Sequence, residues 1–521
     1  MNRAEMLSRL TGSKEPWEMV VIGGGATGLG VAVDAAARGY RVVLLEQSDF
    51  GKGTSSRSTK LVHGGVRYLR QGNLPLVMES LRERGMLRHN APHLVTELRF
   101  IVPVYDWWEA PFYGLGMKLY DLLAGRHGFG PSRLLNREQT IAFLPTIKTA
   151  GLRGGVQYFD GLFDDARLLI SLARTAAAQG ATLVNYLKVT RLLKKADGRV
   201  SGLVARDMES QVEFEIRAQV VINATGPFTD SLLRLDDPKT PPMISPSQGT
   251  HLVLDKAFLP TDSAIMVPKT RDGRIVFAIP WHHHALIGTT DTPVDEVCLE
   301  PAPSSAEVDF LLETVANYLK KPPTRQDVIS MFAGIRPLVR GRVDGATAKL
   351  SRDHSIRVSG SGLVTVCGGK WTTYRKMASD AVDQAVTIAR LEPHPCRTQE
   401  LPIHGHEPNS ARCGPLAVYG SDAPAIQGLM DADPPLREPL HPALPYTQAE
   451  VVWASRLEMA RTVDDVLSRR TRALVLNARA ARSAALRVAA LLARELGHDA
   501  AWQTDQLRQF EQITDRYILP A

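Results

Sequence analysis

The 521 residues are 44% hydrophobic and 22% charged, an ordinary globular composition that excludes a disordered or low-complexity chain and allows about two to four domains. A formal net charge of +7 suits nucleic acid, an anionic membrane surface or an anionic substrate, and chooses among none of them. Four scattered cysteines, Cys298, Cys367, Cys396 and Cys413, form no CxxC pair, which excludes a disulfide framework and a zinc ribbon and fits a reducing compartment.

Residues 1–18 mix Arg3, Arg9 and Lys14 with Glu5 and Glu15 and lack the apolar core of a signal peptide. No run reaches the roughly 20 apolar residues of a membrane helix, so any membrane contact is expected to be peripheral. Met19-Val20-Val21-Ile22 reads as a buried strand, residues 27–38 as a small-residue helix and residues 41–45 as a second apolar strand. Between strand and helix lies Gly23-Gly24-Gly25-Ala26-Thr27-Gly28, a G-x-G-x-x-G turn in the context its chemistry needs. Glycine lets the backbone turn tightly and approach a pyrophosphate, and the helix start offers N–H groups to the anion. Glu46 ends the next strand, 18 residues beyond Gly28, where an acid accepts from a ribose 2′-hydroxyl and disfavours a 2′-phosphate. The turn has no second copy, and a later strand, Val220-Val221-Ile222, exits through Asn223-Ala224-Thr225-Gly226-Pro227, small enough to pass close to the same cofactor. Both points favour FAD over NAD.

Residues 54–69 are rich in hydroxyls, with Lys60, His63 and Arg67 among them. Hydroxyls and a lysine suit phosphate and flavin edges, and Arg67 suits an anionic substrate; spacing alone reads equally as an exposed serine-rich loop. Residues 182–195 and 198–207 flank Asp197-Gly198, a hairpin signal. His251 shares a strand face with Val253, the usual place of a structural histidine. Residues 274–280 and 285–289 pair around Trp281-His282-His283-His284. Adjacent strand residues face opposite ways and no Cys, Asp or Glu has ligand-like spacing, so this is a hairpin tip and no metal site is expected.

Gly334-Ile335-Arg336-Pro337-Leu338 and Ser351-Arg352-Asp353-His354 each put an arginine beside a turn; in isolation either is more often a solvated salt-bridge partner. Residues 363–366 form a short strand entering Cys367-Gly368-Gly369-Lys370-Trp371-Thr372-Thr373-Tyr374-Arg375. That segment is either an ordinary βα turn or a helix start that stabilises negative charge on a reduced flavin. Beyond residue 390, Pro393, Pro395, Pro402 and Pro408 mark a linker. The glycine-free, Ala/Leu/Arg-rich stretch 469–495 then reads as a separate helical domain.

Together these segments resemble the FAD-dependent glycerol-3-phosphate dehydrogenases of the D-amino-acid-oxidase-like superfamily, through nearly the whole chain. The most specific part is His63-Gly64-Gly65-Val66-Arg67-Tyr68-Leu69 combined with residues 368–375; Asp465-Val466-Leu467-Ser468-Arg469-Arg470-Thr471-Arg472 is typical of the family's helical cap. The resemblance implies an α/β (α+β) fold: a discontinuous Rossmann-like FAD-binding domain (1–90, 150–240, 340–388), an antiparallel-sheet substrate domain (91–149, 241–339) and a C-terminal helical domain (389–521). FAD contacts are expected from Gly23, Gly25, Ala26, Thr27, Gly28 and Glu46; from Ser55, Ser56, Thr59, Lys60, His63, Gly64 and Gly65; and from Val189, Ala224, Thr225, Gly226, Gly334, Gly369, Lys370 and Thr372.

The implied reaction is oxidation of sn-glycerol 3-phosphate at C2 to dihydroxyacetone phosphate, with hydride passing to flavin N5 and electrons then to a membrane quinone. Arg67, Tyr68, Arg336, Arg352 and Lys370 would bind the substrate. His251 and Arg336 would be catalytic, His251 taking the hydroxyl proton with a pKa near neutral. The nearest rival is a glycerol-3-phosphate oxidase that returns electrons to oxygen. The absence of an Asp-x-Asp-x-Asp-Gly calcium loop and of a long insertion points to a bacterial-type dehydrogenase. Expected partners are glycerol 3-phosphate, the quinone and an anionic membrane surface, with no nucleic acid and a homodimer left open; the expected location is the cytoplasmic side, peripherally on the inner face of the cell membrane. Arg469, Arg470, Arg472, Arg479, Arg482, Arg487 and Arg494 read as either membrane-facing charge or a solvated helical surface. Trp107, Trp108, Phe112 and Tyr113 read as either membrane or quinone contacts or core.

Overall fold

A computed structural model describes residues 1–65, 73–268, 270, 273–340 and 354–520. Met19, Val20, Val21 and Ile22 are buried on both faces, as a central parallel strand requires. The strand Trp17–Ile22 pairs in parallel with Val42–Leu45 on one side and Glu213–Asn223 on the other. Thr182–Val184 extends the sheet past Val42–Leu45, and Val364–Gly368 with antiparallel His354–Val358 extends it past Glu213–Asn223. The Leu187–Lys194 and Val200–Asp207 hairpin joins this first sheet through Glu213–Asn223. The expected strand 182–195 is therefore broken, at Asn185-Tyr186, where Tyr186 takes a φ of 56°.

The Ala26–Ala37 helix lies on this sheet with Asp165–Ala178 and Tyr374–Ala389 against it. Its small residues permit the approach: a side chain at Gly30 would come within 2.9 Å of the Tyr374 ring.

A second, mostly antiparallel sheet contains Ile244–Asp255, flanked by Val328–Val339 and His284–Gly288, and continues through Val276–Trp281, Ser263–Val267, Val95–Val104 and Gly154–Phe163 to Leu61–Val62. This corrects the expected domain bounds. Residues 61–62 and 154–163 were placed in the FAD unit, but Gly154–Phe163 is zipped to Val95–Val104 along its whole length and Leu61–Val62 pairs with Gly154–Phe163. The histidine tip is a tight turn with positive φ at His282 (43°) and His283 (60°), and His282 Nε2 pairs with Asp164 at 3.0 Å.

The C-terminal helices Gln448–Leu457 and Ala478–Leu496 pack on one face of this sheet, where Val253, Ile279 and Phe332 share a core with Val466, Leu474, Ala481 and Val488. Ala478–Leu496 is capped by Asn477, whose side chain accepts from Ala480 N, and stopped by left-handed Gly497.

The C-terminal arginines correct the sequence reading. Arg479, Arg487 and Arg494 are exposed. Arg469, Arg470 and Arg472 are buried, so they are neither a membrane face nor a solvated surface. Each is held by a buried carboxylate: Arg469 and Arg470 by Asp49, and Arg472 by Asp164.

Candidate active site

A cavity of about 1000 Å³ runs between the two sheets, lined from the glycine turn at one end to Phe277 and Met266 of the second sheet at the other. At the first end the turn 23–28 is tied down sterically. A Cβ on Gly28 would meet the Gly23 carbonyl at 1.9 Å, and Gly23, with φ +110°, lies against the Ala224 carbonyl. The Ala26–Ala37 helix has no acidic residue in its first turn, which leaves its positive end for an anion. Gly23, Gly25, Ala26 and Thr27 line the cavity; Gly28 does not, and serves by letting the turn close.

Glu46 lines the cavity just past the strand Val42–Leu45. Its carboxylate accepts from Gly24 N at 2.6 Å and Ser48 N at 2.9 Å. Burial pushes its pKa up to about 7 against the pull of those two N–H groups. Val189, Ala224, Thr225 and Gly226 complete this end. A glycine cradle, a helix N-terminus and a ribose-seeking acid in one elongated cavity fit a dinucleotide.

The loop 51–65 crosses the middle. Ser55 Oγ accepts from Ala26 N at 3.0 Å, Thr54 Oγ1 donates to Ile335 O at 2.5 Å, and Trp371 Nε1 donates to Ser55 O at 2.7 Å. The loop thus joins the turn, the strand Val328–Val339 and the segment 368–375. Ser55, Thr59, His63 and Gly65 line the cavity. Three expected contacts do not. Ser56 donates to Gly51 O, Gly64 N donates to the Tyr120 hydroxyl, and Lys60 is fully buried with Nζ on both Asp165 oxygens at 2.8 Å. Lys60 Nζ is thus engaged by an acid of the adjacent helix and does not reach the cavity wall, unlike the expected contact.

At the far end His251, Arg336 and Lys370 face the same cavity, with Gly334, Gly369 and Thr372 beside them. The His251 ring stacks on Phe332 and lies over Gly288, where a Cβ would come within 2.1 Å of it. Its Nε2 pairs with Thr59 Oγ1 at 2.9 Å. Burial, reinforced by the charges of Arg336 and Lys60, holds the imidazole pKa well below its ordinary value, which corrects the expectation of a near-neutral base. Arg336 donates to Thr290 O at 2.9 Å and Thr289 Oγ1 at 3.0 Å, with Asp291 at 3.4 Å. It crosses the strand Ile244–Asp255 only because residue 249 is glycine, since a Cβ there would lie 2.3 Å from the guanidinium. Lys370 follows Gly368 and Gly369, both at positive φ, and its Nζ reaches Ser80 Oγ at 3.4 Å. Arg67, Tyr68 and Arg352 lie outside the described residues.

Sequence reading gave no site role to Thr289, Thr290, Asp291, Asp160 or Lys52, all of which line the cavity. The signal for Asp160 was an acid inside a buried strand. It is held by Arg84 at 2.5 Å and Tyr120 at 3.0 Å.

The profile of the FAD dependent oxidoreductase family matches residues 18–375, and that of the C-terminal domain of alpha-glycerophosphate oxidase matches residues 366–503. The mitochondrial glycerol-3-phosphate dehydrogenase of Homo sapiens is 40% identical over 99% of this chain and 77% of its own length; that of Arabidopsis thaliana is 39% identical over 97% and 87%. The structure of glycerol-3-phosphate dehydrogenase from Bacillus halodurans, complexed with FAD, superposes with a TM-score of 0.79 at 29% identity, covering 99% of this chain and 98% of that one. L-alpha-glycerophosphate oxidase from Mycoplasma pneumoniae, at 17% identity and a TM-score of 0.56 over 74% of this chain and 98% of that one, shares the fold. The chain belongs to the FAD-dependent oxidoreductase family, among the glycerol-3-phosphate dehydrogenases, and its cofactor is FAD.

Proposed function

We propose that the chain oxidises sn-glycerol 3-phosphate at C2 to dihydroxyacetone phosphate and passes the electrons to a membrane quinone. The observation that carries this reading is the convergence of Arg336, Lys370 and His251 on the cavity that begins at the glycine cradle. Bound FAD supplies the hydride acceptor at N5. Arg336 and Lys370 bring two fixed positive charges to a dianionic substrate, and Arg336 arrives already oriented by Thr289, Thr290 and Asp291, so little ordering is needed on binding. His251 stays neutral at working pH; a neutral imidazole is the form able to take the C2 hydroxyl proton. Phe100, Tyr158, Met266 and Phe277 add an apolar wall to the same cavity.

The quinone reading is supported by an apolar surface. The helix Glu109–Ala124 exposes Phe112, Leu115, Leu119 and Leu122, with Trp107 and Trp108 just before it and Leu134 nearby. Their three- and four-residue spacing makes one stripe, and exposed Arg126 and Arg133 flank it. Such a face suits an anionic bilayer entered peripherally, at the inner face of the cell membrane. Among the described residues no helix is long and apolar enough to cross one.

Anaerobic mixing with glycerol 3-phosphate tests the reaction: the flavin absorbance should bleach, and an unbleached flavin overturns the substrate. Reoxidation then separates the acceptors. Fast recovery with a quinone and slow recovery in air is expected; the reverse makes the protein an oxidase, as the alpha-glycerophosphate oxidase profile over residues 366–503 would favour.

A further inference from the structure

Among the described residues no side chain beyond Met377 lines the cavity, so the C-terminal unit makes no contact with it. That unit nevertheless grips the loop that does. The loop following Glu46 contributes Gln47, Gly51, Lys52, Gly53 and Thr54 to the cavity wall, and the Gly51 amide donates to the Gly24 carbonyl of the glycine turn at 3.0 Å. Asp49, fully buried at its centre, accepts from Arg469 Nε at 2.5 Å and from both terminal nitrogens of Arg470 at 2.6 and 2.9 Å. Lys52 is held by Asp464 at 2.6 Å and by Glu300 at 2.5 Å, and Glu300 also holds Arg57 at 2.6 Å. Arg469 closes the circuit on Asp464 and Asp465.

We propose that residues 464–470 act as positioning residues for the cofactor, setting the conformation of the loop 47–57 through this buried ion network and thereby setting FAD affinity from outside the cavity. Two physical points favour it. Buried ion pairs contribute little net stability relative to apolar packing, yet they impose one geometry, because breaking one leaves a buried charge uncompensated. The Arg470 fork on Asp49 is bidentate, and that arrangement fixes orientation as well as distance. Linkage then requires the effect to run both ways: FAD binding must tighten the C-terminal segment by the free energy with which the segment tightens FAD.

The test uses full-length holoenzyme and protein depleted of FAD, and needs no substrate, so it stands apart from the glycerol 3-phosphate reading. Asp49→Asn keeps the shape of the side chain and leaves Arg469 with Asp464 and Asp465. Its FAD dissociation constant should rise about tenfold or more, the loss expected from one charge-assisted contact. Arg437→Gln, which breaks an exposed C-terminal pair with Asp431 that shares no partner with this network, should leave FAD affinity within about twofold of wild type. If Asp49→Asn fails to fold, Arg470→Lys keeps the charge and loses the fork, and a smaller but measurable weakening is expected. In the unaltered protein, FAD should slow amide hydrogen exchange in both 47–57 and 464–470. Unchanged affinity in the loop variants, equal loss in Arg437→Gln, or exchange in 464–470 indifferent to FAD each overturns the proposal.

Discussion

His251 is held as a neutral imidazole by burial and by the positive neighbours Arg336 and Lys60. The sign of its pH effect follows. Protonation, which would block it as an acceptor, occurs only well below its ordinary value of 6.5. The rate of flavin reduction by substrate should therefore show no loss as the pH falls through 6.5, and His251→Gln should slow reduction roughly 100-fold or more. A rate that halves near 6.5 and loses this inflection in the variant contradicts the lowered pKa, and an unslowed variant contradicts the role of His251 as proton acceptor. Arg336→Ala removes a preoriented guanidinium from the substrate end of the cavity. Substrate reduction should weaken on the order of 100-fold while FAD stays bound, and normal reduction kinetics would remove Arg336 from the site. Lys60 shows the limit of reading residue types: its Nζ is paired with Asp165, a partner supplied by a helix more than a hundred positions away.

At the scale of elements, the strand–turn–helix unit is a steric device. Gly28→Ala would drive a methyl group against the Gly23 carbonyl, 1.9 Å from the added carbon. The turn must open, so the variant should purify largely without flavin; a flavin-replete Gly28→Ala protein would show that the turn tolerates the change. This much was legible in sequence, because glycine spacing, apolar strand and small-residue helix are local features. The apolar stripe on Glu109–Ala124 makes a second prediction. Leu115 and Leu122 are 76% and 77% exposed, so Leu115→Asp with Leu122→Asp should leave the fold intact and reduce sedimentation with anionic vesicles about tenfold or more, given roughly 1.5–3 kcal/mol per buried leucine. Undiminished vesicle binding would move the membrane face elsewhere. Sequence named the segment but not its side, since aromatic residues serve a core and an interface equally well.

Across the whole molecule, the C-terminal unit is fastened by buried charge as well as by apolar packing. Glu458 is fully buried between Arg167, at 2.7 and 2.8 Å, and Arg470. Burial alone would raise its pKa, but the Arg167 guanidinium overrides it and brings the value from 4.5 down to about 2. A depressed carboxyl contributes stability above its unfolded value, and that stability drains away as the pH falls from 4.5 to about 2. Acid unfolding followed by circular dichroism should steepen in this window. Arg167→Met should destabilise the protein by about 3–5 kcal/mol at neutral pH through the stranded Glu458 carboxylate, and part of this should be recovered when Glu458 is also changed to Gln. A variant as stable as wild type would mean that the pair does not fasten the unit.

The sequence by itself determined what local rules can encode: the dinucleotide turn, the acid at Glu46, the hairpin around Asp197-Gly198, the helical C-terminal part and, through combined motifs, the family and its FAD. Tertiary structure decided where charge goes. Arg469 and Arg470 look like surface residues of a basic helix until the fold brings Asp49 against them across about 420 positions, and His251 looks like a neutral-pH base until Phe332 and Gly288 enclose it. The same holds for the seam between the sheets, where residues 61–62 and 154–163 join strands that sequence order assigns to another unit. Glycine spacing and apolar periodicity act over a few residues and survive in the linear code. The protonation, burial and aim of an ionisable side chain depend on partners that only chain closure supplies.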